Sequence, residues 1–499
     1  MSIVVPGPAS RTARTHPHPS HRRHHTSSDA APRIVVVSNR LPVRVRDDSH
    51  ELRLVPADGG LVTALGPLVR RRGGLWIGWL GLATEDREAG PREYRLALER
   101  FARDAGFGIH PVHLCADEID DYYAGFCNGV LWPLLHGFAP SDSLSERQWK
   151  GYRRVNEHFA EAVLREVRRG DEVLINDYHL LLVPGLLRGQ GLGNSITCFI
   201  HTPFPPGELF ERLPWAEEIT ASLLQADRVG FQTALDHRNF VSTVERRPTR
   251  ERHSGVYPIS VDVDEFQALA RSEQTRARAS AIRAEMDVPH LLLGVDRLDY
   301  TKGLLEKLAG LESLLEERPQ LQGSVCLTQL VIPSRESVPE YRALRDKLER
   351  RVGEINGRFS ARGWVPVHYQ YGRWSREELV AQYAAADVAL VTPVRDGMNL
   401  VAKEFCVCQP DEAPGALILS RFAGAASELR EALVVNPHGA RAVADALHTA
   451  MTMPDEERRR RMSTMVRRIR TWDVYEWAQH LLQVGEGAHA ARPALQPVG

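Results

Sequence analysis

"HLLLGVDRLDYTKG", residues 290–303, opens on a continuous apolar run and ends on charge. A strand with one solvated face alternates apolar and polar residues, whereas a strand covered on both faces by helices reads as an unbroken run. This stretch therefore predicts an interior parallel strand whose carboxyl end carries Arg297 and Lys302, five residues apart, in a polar turn. Charges in loops are usually just solvated, so the pair alone assigns no ligand.

The same signature recurs along the chain. "RIVVVSN", "EVLIND", "SITCFIH", "RVGFQ", "SVCLTQLVI", "VPVHYQY", "VALVTPV", "GALILS" and "ALVVN" are short apolar runs. Between them lie helix-patterned segments such as "LSERQWKGYRRVNEHFAEAVLREVRR" and "VPEYRALRDKLERRVGEINGRF". A repeated β-then-α order predicts open, doubly wound α/β sheets. The strands are too many for one sheet, so two α/β halves are expected, with a seam near "GVYPISVDVDEF" (255–266). A helical stretch, "PDEERRRRMSTMVRRIRTWDVYEWAQHLLQV", follows the last strand, and no internal repeat of fixed period is present. Two facing halves of this kind place the loops at their strand carboxyl ends around a shared cleft.

Composition narrows the function classes. Lys plus Arg number 63 against 64 Asp plus Glu, a formal net charge of −1, which lacks the basic excess of a nucleic-acid or anionic-membrane binder. The six cysteines at 115, 127, 198, 326, 406 and 408 form no CxxC pair, so neither a disulfide framework nor a zinc module is expected. Cys406 and Cys408 lie in a predicted helix, where positions i and i+2 point apart. No apolar stretch approaches the ~20 residues of a membrane helix, and a reducing cytoplasm is the expected setting. Residues 1–32 lack an apolar signal core and, although Arg- and Ser-rich like an organelle transit peptide, read as a disordered extension.

Several strand ends carry groups that could bind or react. "RIVVVSNRLP" (33–42) ends on Arg40, and an Arg at a buried strand tip calls for an anion, either a ligand or a neighbouring carboxylate. "INDYHLLLVP" (175–184) puts Asp177 and His179 at one tip, and "CFIHTPFPP" (198–206) puts His201 at the next. Two such tips in consecutive units face one cleft if the fold is right. In "LVTPVRDGMNLVAKEF" (390–405) a strand gives way to the turn Arg395-Asp396-Gly397 and then to a helix whose first amides could hold an anion. Glu404 lies further along that helix, a carboxylate able to accept from ribose hydroxyls. Gly59 and Gly60 precede another helix, a weak phosphate-loop signal that a plain turn explains as well. Asp262 and Asp264 have the D-x-D spacing of metal-dependent sugar transferases, but Asp264 is read here as a helix N-cap.

"VVVSNRLP", "DGGL", "GLWIGWLG", "YYAGFCNGVLWPLLH", "NDYHL", "HTPFPP", "VDRLDYTKG", "PSRESVPEY", "LVTPVRDGMNLVAKEF" and "LSRFAGAASEL" together resemble the trehalose-6-phosphate synthase family, from about residue 33 to about residue 485. The resemblance implies a GT-B fold of two facing Rossmann-like domains. An acceptor-side domain would span 33–258 and a nucleotide-sugar domain 259–485, its terminal helix packing back on the first; 486–499 would be a disordered tail. It implies retaining transfer of glucose from a nucleotide diphosphate glucose to glucose 6-phosphate, with no metal and no cofactor. A homo-oligomer, dimer or tetramer, is expected, with neither nucleic acid nor membrane as partner.

Roles follow by position in the motifs. Arg297 and Lys302 would hold the donor diphosphate and, with Asp396 and His201 on the donor glucose, form the catalytic group. Gly59, Gly60, Trp374, Asn399, Leu400, Val401 and Glu404 would complete the donor site, Trp374 against the base. Arg40, Tyr123 and Arg335 would bind the acceptor phosphate, with Trp79 and Trp132 lining that pocket and Asp177 reading acceptor hydroxyls. Three departures stand out: Asn176 where many members carry His, Gly207 for a larger residue, and a shortened segment, 240–258. The competing expectations are a transferase with another phosphorylated acceptor, such as glucosylglycerol-phosphate synthase, and a non-catalytic sensor. Arg40, Tyr123, Trp132 and Arg335 argue against the first, and Arg297, Lys302 and Asp396 against the second. The donor base is not legible in these motifs.

Overall fold

A computed structural model describes residues 32–48, 51–57, 60–85, 92–139, 144–244, 253–335 and 338–482. Its strands in chain order are β1 (Ile34–Arg40), β2 (Val43–Asp48), β3 (Glu51–Pro56), β4 (Leu75–Ala83), β5 (Gly108–Leu114), β6 (Glu172–Asn176), β7 (Ser195–Ile200), β8 (Arg228–Phe231) and β9 (His253–Val256). They continue with β10 (His290–Arg297), β11 (Val325–Ile332), β12 (Val367–Tyr371), β13 (Val388–Val391), β14 (Ala416–Ser420) and β15 (Leu433–Val435). All ten runs expected to be strands are strands. Missing from that set are β4, β5, β9 and the antiparallel hairpin β2–β3.

One sheet has the order β5-β4-β1-β6-β7-β8-β9 and the other β12-β11-β10-β13-β14-β15. Every pairing within the two is parallel. Each sheet thus grows outward in one direction from its first strand and then reverses. The reversal lies between β1 and β6 in one, and between β10 and β13 in the other. At such a switch point the adjacent loops diverge to opposite faces and leave a crevice at the strand carboxyl ends.

Burial explains the unbroken apolar runs. Along β1, Ile34 and Val36 join one buried cluster while Val35 and Val37 join another, as the two-residue period of a strand covered on both faces requires. The first cluster also contains Leu293, Val295, Leu330, Val391 and Leu419 of the second sheet, so one core runs through both halves. The opposite face of the second sheet packs separately through Leu292, Leu327, Leu390 and Ile418.

The connection 255–266 carries the chain from β9 to the helix Val263–Arg271. The cap of that helix is Asp262, which accepts from Glu265 N at 3.0 Å, and not Asp264. Asp264 sits inside the first turn and pairs with Arg470 at 2.8 Å. Asp262 also accepts from the Tyr475 hydroxyl at 2.7 Å, so both carboxylates of the D-x-D are engaged structurally. The last helix, Val474–Leu482, lies against the first sheet: Trp477 meets Phe199 edge-on, and Arg228 of β8 donates to the His480 and Leu481 carbonyls at 2.7 Å each. A buried cation there satisfies carbonyls that the helix end leaves without intrahelical donors. Among the described residues no helix is long and apolar enough to cross a membrane.

Candidate active site

The first switch point is built on Arg40, the last residue of β1. It pairs in register with Trp79 of β4, and its guanidinium carbon lies 4.1 Å from the Trp79 ring centre and 5.3 Å from that of Tyr123. Of the two anions a strand-end Arg calls for, a neighbouring carboxylate is not found among the described residues; aromatic faces hold the cation instead. Gly81, at φ 98°, makes room: a Cβ there would stand 1.5 Å from an Arg40 guanidinium nitrogen. Trp79 is itself fixed by its indole N–H to Leu82 O at 2.8 Å. Tyr123 sits in a π-helix, Ile119–Leu131. Burial pushes its phenol up, but the charges of Arg40, Arg335 and Arg297 outweigh burial and bring it below the usual range.

Across the switch, β6 and β7 end on Asn176-Asp177 and on His201. Asp177 adopts φ 73°, unusual for a residue with a Cβ, and such backbone strain concentrates at functional sites. One carboxylate oxygen accepts from the backbone N–H of His201 at 3.1 Å and of Thr202 at 3.3 Å. Burial pushes its pKa up to about 6, while those hydrogen bonds and Arg297 oppose the rise. Burial pushes His201 down to about 3, so its ring is neutral near pH 7. His179, stacked on Tyr123, is held well below the usual histidine range by burial and by Arg335, Arg40 and Arg297.

The second switch point joins the turns after β10 and β13. Asp299 caps the turn after β10, accepting from Thr301 N at 3.0 Å and Thr301 Oγ1 at 2.9 Å. Gly303, at φ 65°, ends it, and a Cβ there would lie 2.1 Å from Thr392 O. Val394 N donates to Thr301 O at 2.8 Å, which laces the two turns together. Lys302 reaches Asp396 at 2.5 Å, and Asn399 Nδ2 donates to the same carboxylate oxygen at 3.0 Å. Arg297 is exposed at the strand tip, 5.7 Å from the Trp132 ring centre of the first half.

Arg335 bridges the halves. It pairs with Asp299 at 2.9 Å, donates to the Tyr341 hydroxyl, reaches the Tyr178 hydroxyl at 3.3 Å and lies 4.0 Å over Trp132. Burial would push Asp299 up, but Arg335, Arg297 and Lys302 hold it below the usual carboxylate range. A second bridge is made by backbone: a Cβ on Gly397 would stand 1.9 Å from His201 O, so only glycine lets the two loops meet there. Trp132 Nε1 and Asn399 Oδ1 are buried without a hydrogen-bond partner, as polar atoms at a ligand site are.

The helix Leu400–Cys408 starts just beyond, with Leu400 and Val401 half-buried in a first turn whose amides have no intrahelical acceptor. Glu404 accepts from the Tyr383 hydroxyl at 2.8 Å, and burial pushes its carboxyl up. Trp374 is half-buried against the core shared by both halves. Gly60 opens the helix Gly60–Arg71; Gly59 lies outside the described residues. Cys406 and Cys408 are both buried in their helix.

Direct contacts thus gather Arg40, Trp79 and Tyr123 in one group, Arg297, Trp132 and Arg335 in a second, and Lys302, Asp396 and Asn399 in a third. Asp177 and His201 join through the His201 backbone. Sequence reasoning missed Gly81, Tyr178, Asp299 and Tyr341. All four stood in quoted motifs, but only their contacts with Arg40 or Arg335 show what they do.

The sequence model of glycosyltransferase family 20 matches residues 32–485. A trehalose-6-phosphate synthase of Mycolicibacterium smegmatis is 43% identical over 474 residues, covering 90% of this chain and 91% of that protein. A UDP-forming alpha,alpha-trehalose-phosphate synthase from Burkholderia xenovorans, solved in complex with glucose-6-phosphate, superposes with a TM-score of 0.80 at 34% identity, covering 90% of this chain and 98% of that one. A trehalose-6-phosphate chain from E. coli bound with UDP-2-fluoro glucose gives 0.80 at 34% identity, covering 91% and 99%. Two parallel sheets meeting at their switch points are the GT-B arrangement, and with likeness of this extent the chain belongs to glycosyltransferase family 20.

Proposed function

We propose that this chain is a retaining glucosyltransferase that moves glucose from UDP-glucose to glucose 6-phosphate, giving α,α-trehalose 6-phosphate and UDP. The observation that carries the proposal is the meeting of two cation-bearing switch points, with Arg335 of one half lying on Trp132 of the other. The relatives' names and the glucose-6-phosphate and UDP-2-fluoro glucose complexes support both substrates.

In this reading Arg40, Tyr123 and Arg335 take the acceptor phosphate, Trp79 and Trp132 wall the acceptor pocket, and Asp177 accepts from acceptor hydroxyls. Arg297 and Lys302 take the donor diphosphate. An ammonium has three donors, so Lys302 can keep one on Asp396 and offer two to phosphate oxygens. Amides from Asn399 to Val401 add to the same anion, Glu404 accepts from the ribose, Trp374 faces the base, and Gly60, at the start of its helix, covers the donor. Asp396 and His201 contact the donor glucose. The acceptor hydroxyl attacks the anomeric carbon on the face from which the diphosphate leaves, and its proton passes to a departing phosphate oxygen. The enzyme supplies orientation and fixed positive charge, the work a divalent metal does elsewhere. A homo-oligomer is part of the same proposal, and light scattering reads it.

The test pairs UDP-, ADP- and GDP-glucose with glucose 6-phosphate or glycerol 3-phosphate, in EDTA. Trehalose 6-phosphate formed from UDP-glucose is the expected result. Turnover only with glycerol 3-phosphate would overturn the acceptor assignment, and a requirement for added metal would overturn the metal-free mechanism. No turnover with any pair would favour the sensor.

A further inference from the structure

Asn176 ends β6 beside His201, and the residue is 1% exposed. Its amide nitrogen donates to Leu174 O at 3.1 Å and to Val37 O at 3.3 Å. Both of those atoms are carbonyl oxygens, which accept and never donate. The amide therefore has one workable orientation, with Nδ2 toward the strands and Oδ1 toward His201. Oδ1 lies 3.0 Å from His201 Nε2. Two acceptors cannot share a hydrogen bond, so Nε2 must carry the ring proton. Burial keeps the ring from taking a second one. Nδ1 is left as a bare lone pair with no partner among the described residues.

We propose that Asn176 is a positioning residue that locks His201 in the Nε2–H tautomer, so that Nδ1 can only accept, and accepts from a hydroxyl of the donor hexose. The second half of that statement rests on the placing of His201 against donor glucose in the proposed function. Asn176 stands where a resembling sequence commonly has His. A histidine there could donate or accept toward His201 according to its own tautomer, whereas an amide whose nitrogen is already committed cannot. The lock thus makes the hydrogen-bond direction at this point of the site a property of the fold.

The test begins on the full-length enzyme without substrates, labelled with 15N-histidine. Ring correlations assigned by their loss in His201→Gln should show His201 Nε2 as a protonated, pyrrole-type nitrogen and Nδ1 as an unprotonated, pyridine-type one near pH 7. A protonated Nδ1 overturns the lock. Asn176→Leu, which deletes the acceptor, should give a mixture of both tautomers. An unchanged single tautomer there would mean that something other than Asn176 sets it, and the proposal fails.

The second readout uses monodeoxy and monofluoro UDP-glucose donors. Fluorine has no proton to give, so at one hexose position the deoxy and fluoro donors should lose kcat/KM alike, by about tenfold. In Asn176→Leu that loss should shrink, with KM for glucose 6-phosphate unmoved. An Nε2–H spectrum with no such position upholds the lock and overturns the donor-glucose placing of His201. The two halves of the proposal therefore fail separately.

Discussion

The two switch points carry cations in opposite ways. At β1/β6, Arg40 leans on the faces of Trp79 and Tyr123. At β10/β13, Lys302 is paired with Asp396, and Arg335 with Asp299. An aromatic face steadies a guanidinium without cancelling its charge, whereas a carboxylate at contact distance largely does. The first arrangement leaves full charge for an incoming phosphate. The second holds Lys302 in fixed geometry at reduced charge, suited to meeting negative charge as it develops on a leaving group, and pins Arg335 over Trp132 on the acceptor side.

Asp299→Asn leaves Arg335 buried beside a neutral amide, and losing one partner of a buried ion pair typically costs about 3–5 kcal/mol. The denaturant midpoint should fall accordingly, and KM for glucose 6-phosphate should rise as Arg335 loosens over Trp132. A midpoint unchanged from the parent would mean that the pair contributes nothing. Next in size, Arg297→Ala and Lys302→Ala should each lower kcat by about 10²–10³-fold while circular dichroism stays that of the parent. Near-normal turnover in both would sink the diphosphate assignment.

Asp177 tests the electrostatics of the first switch point. Its folded-state pKa, about 6, lies above its ordinary 3.8. Such a group adds stability in full below its ordinary pKa and loses it as pH rises through the folded value. Wild type should therefore lose about 2–3 kcal/mol from this residue between about pH 4 and pH 7. Asp177→Asn keeps an acceptor for the His201 and Thr202 amides and should remove that slope. Parallel stability–pH curves for the two proteins would refute the charge's cost. The smallest expected effect is Gly81→Ala, which puts a Cβ against the Arg40 guanidinium at a backbone angle that favours glycine. It should cost about 1–2 kcal/mol and raise KM for the sugar phosphate, with KM for the donor unchanged. A rise in the donor's KM instead would mean that the two switch points are not separable.

Much of the fold was legible because burial on both faces writes itself into sequence. A parallel interior strand has no face on which to place charge, so "IVVVSN" and "HLLLGV" are recognisable without a structure. β4 and β5 escaped the strand list because "LWIGWLGLA" and "GIHPVHL" replace branched residues with Gly, Trp, His and Pro. β9, "HSGV", is a short edge strand with almost no apolar signal. The π-helix carrying Tyr123 has nothing in its composition to separate it from an α-helix; the difference lies in which carbonyl each amide reaches.

The sequence alone settled the fold class and its two parallel sheets, and it named the strand ends proposed to carry the chemistry, because each depends on local pattern or on a long contiguous motif. It also carried, through family resemblance, the identity of most candidate site residues. Tertiary structure alone decided that Asp262 and not Asp264 caps its helix, that Lys302 meets Asp396, that Asp299 and Tyr341 hold Arg335, that Gly81 clears Arg40, and that Asn176 points its oxygen at His201. Most of these partners are far apart in the chain, and at the capped helix two aspartates two residues apart compete for one role. Their charges and hydrogen bonds act over a few ångströms, so only the folded chain determines which of them meet.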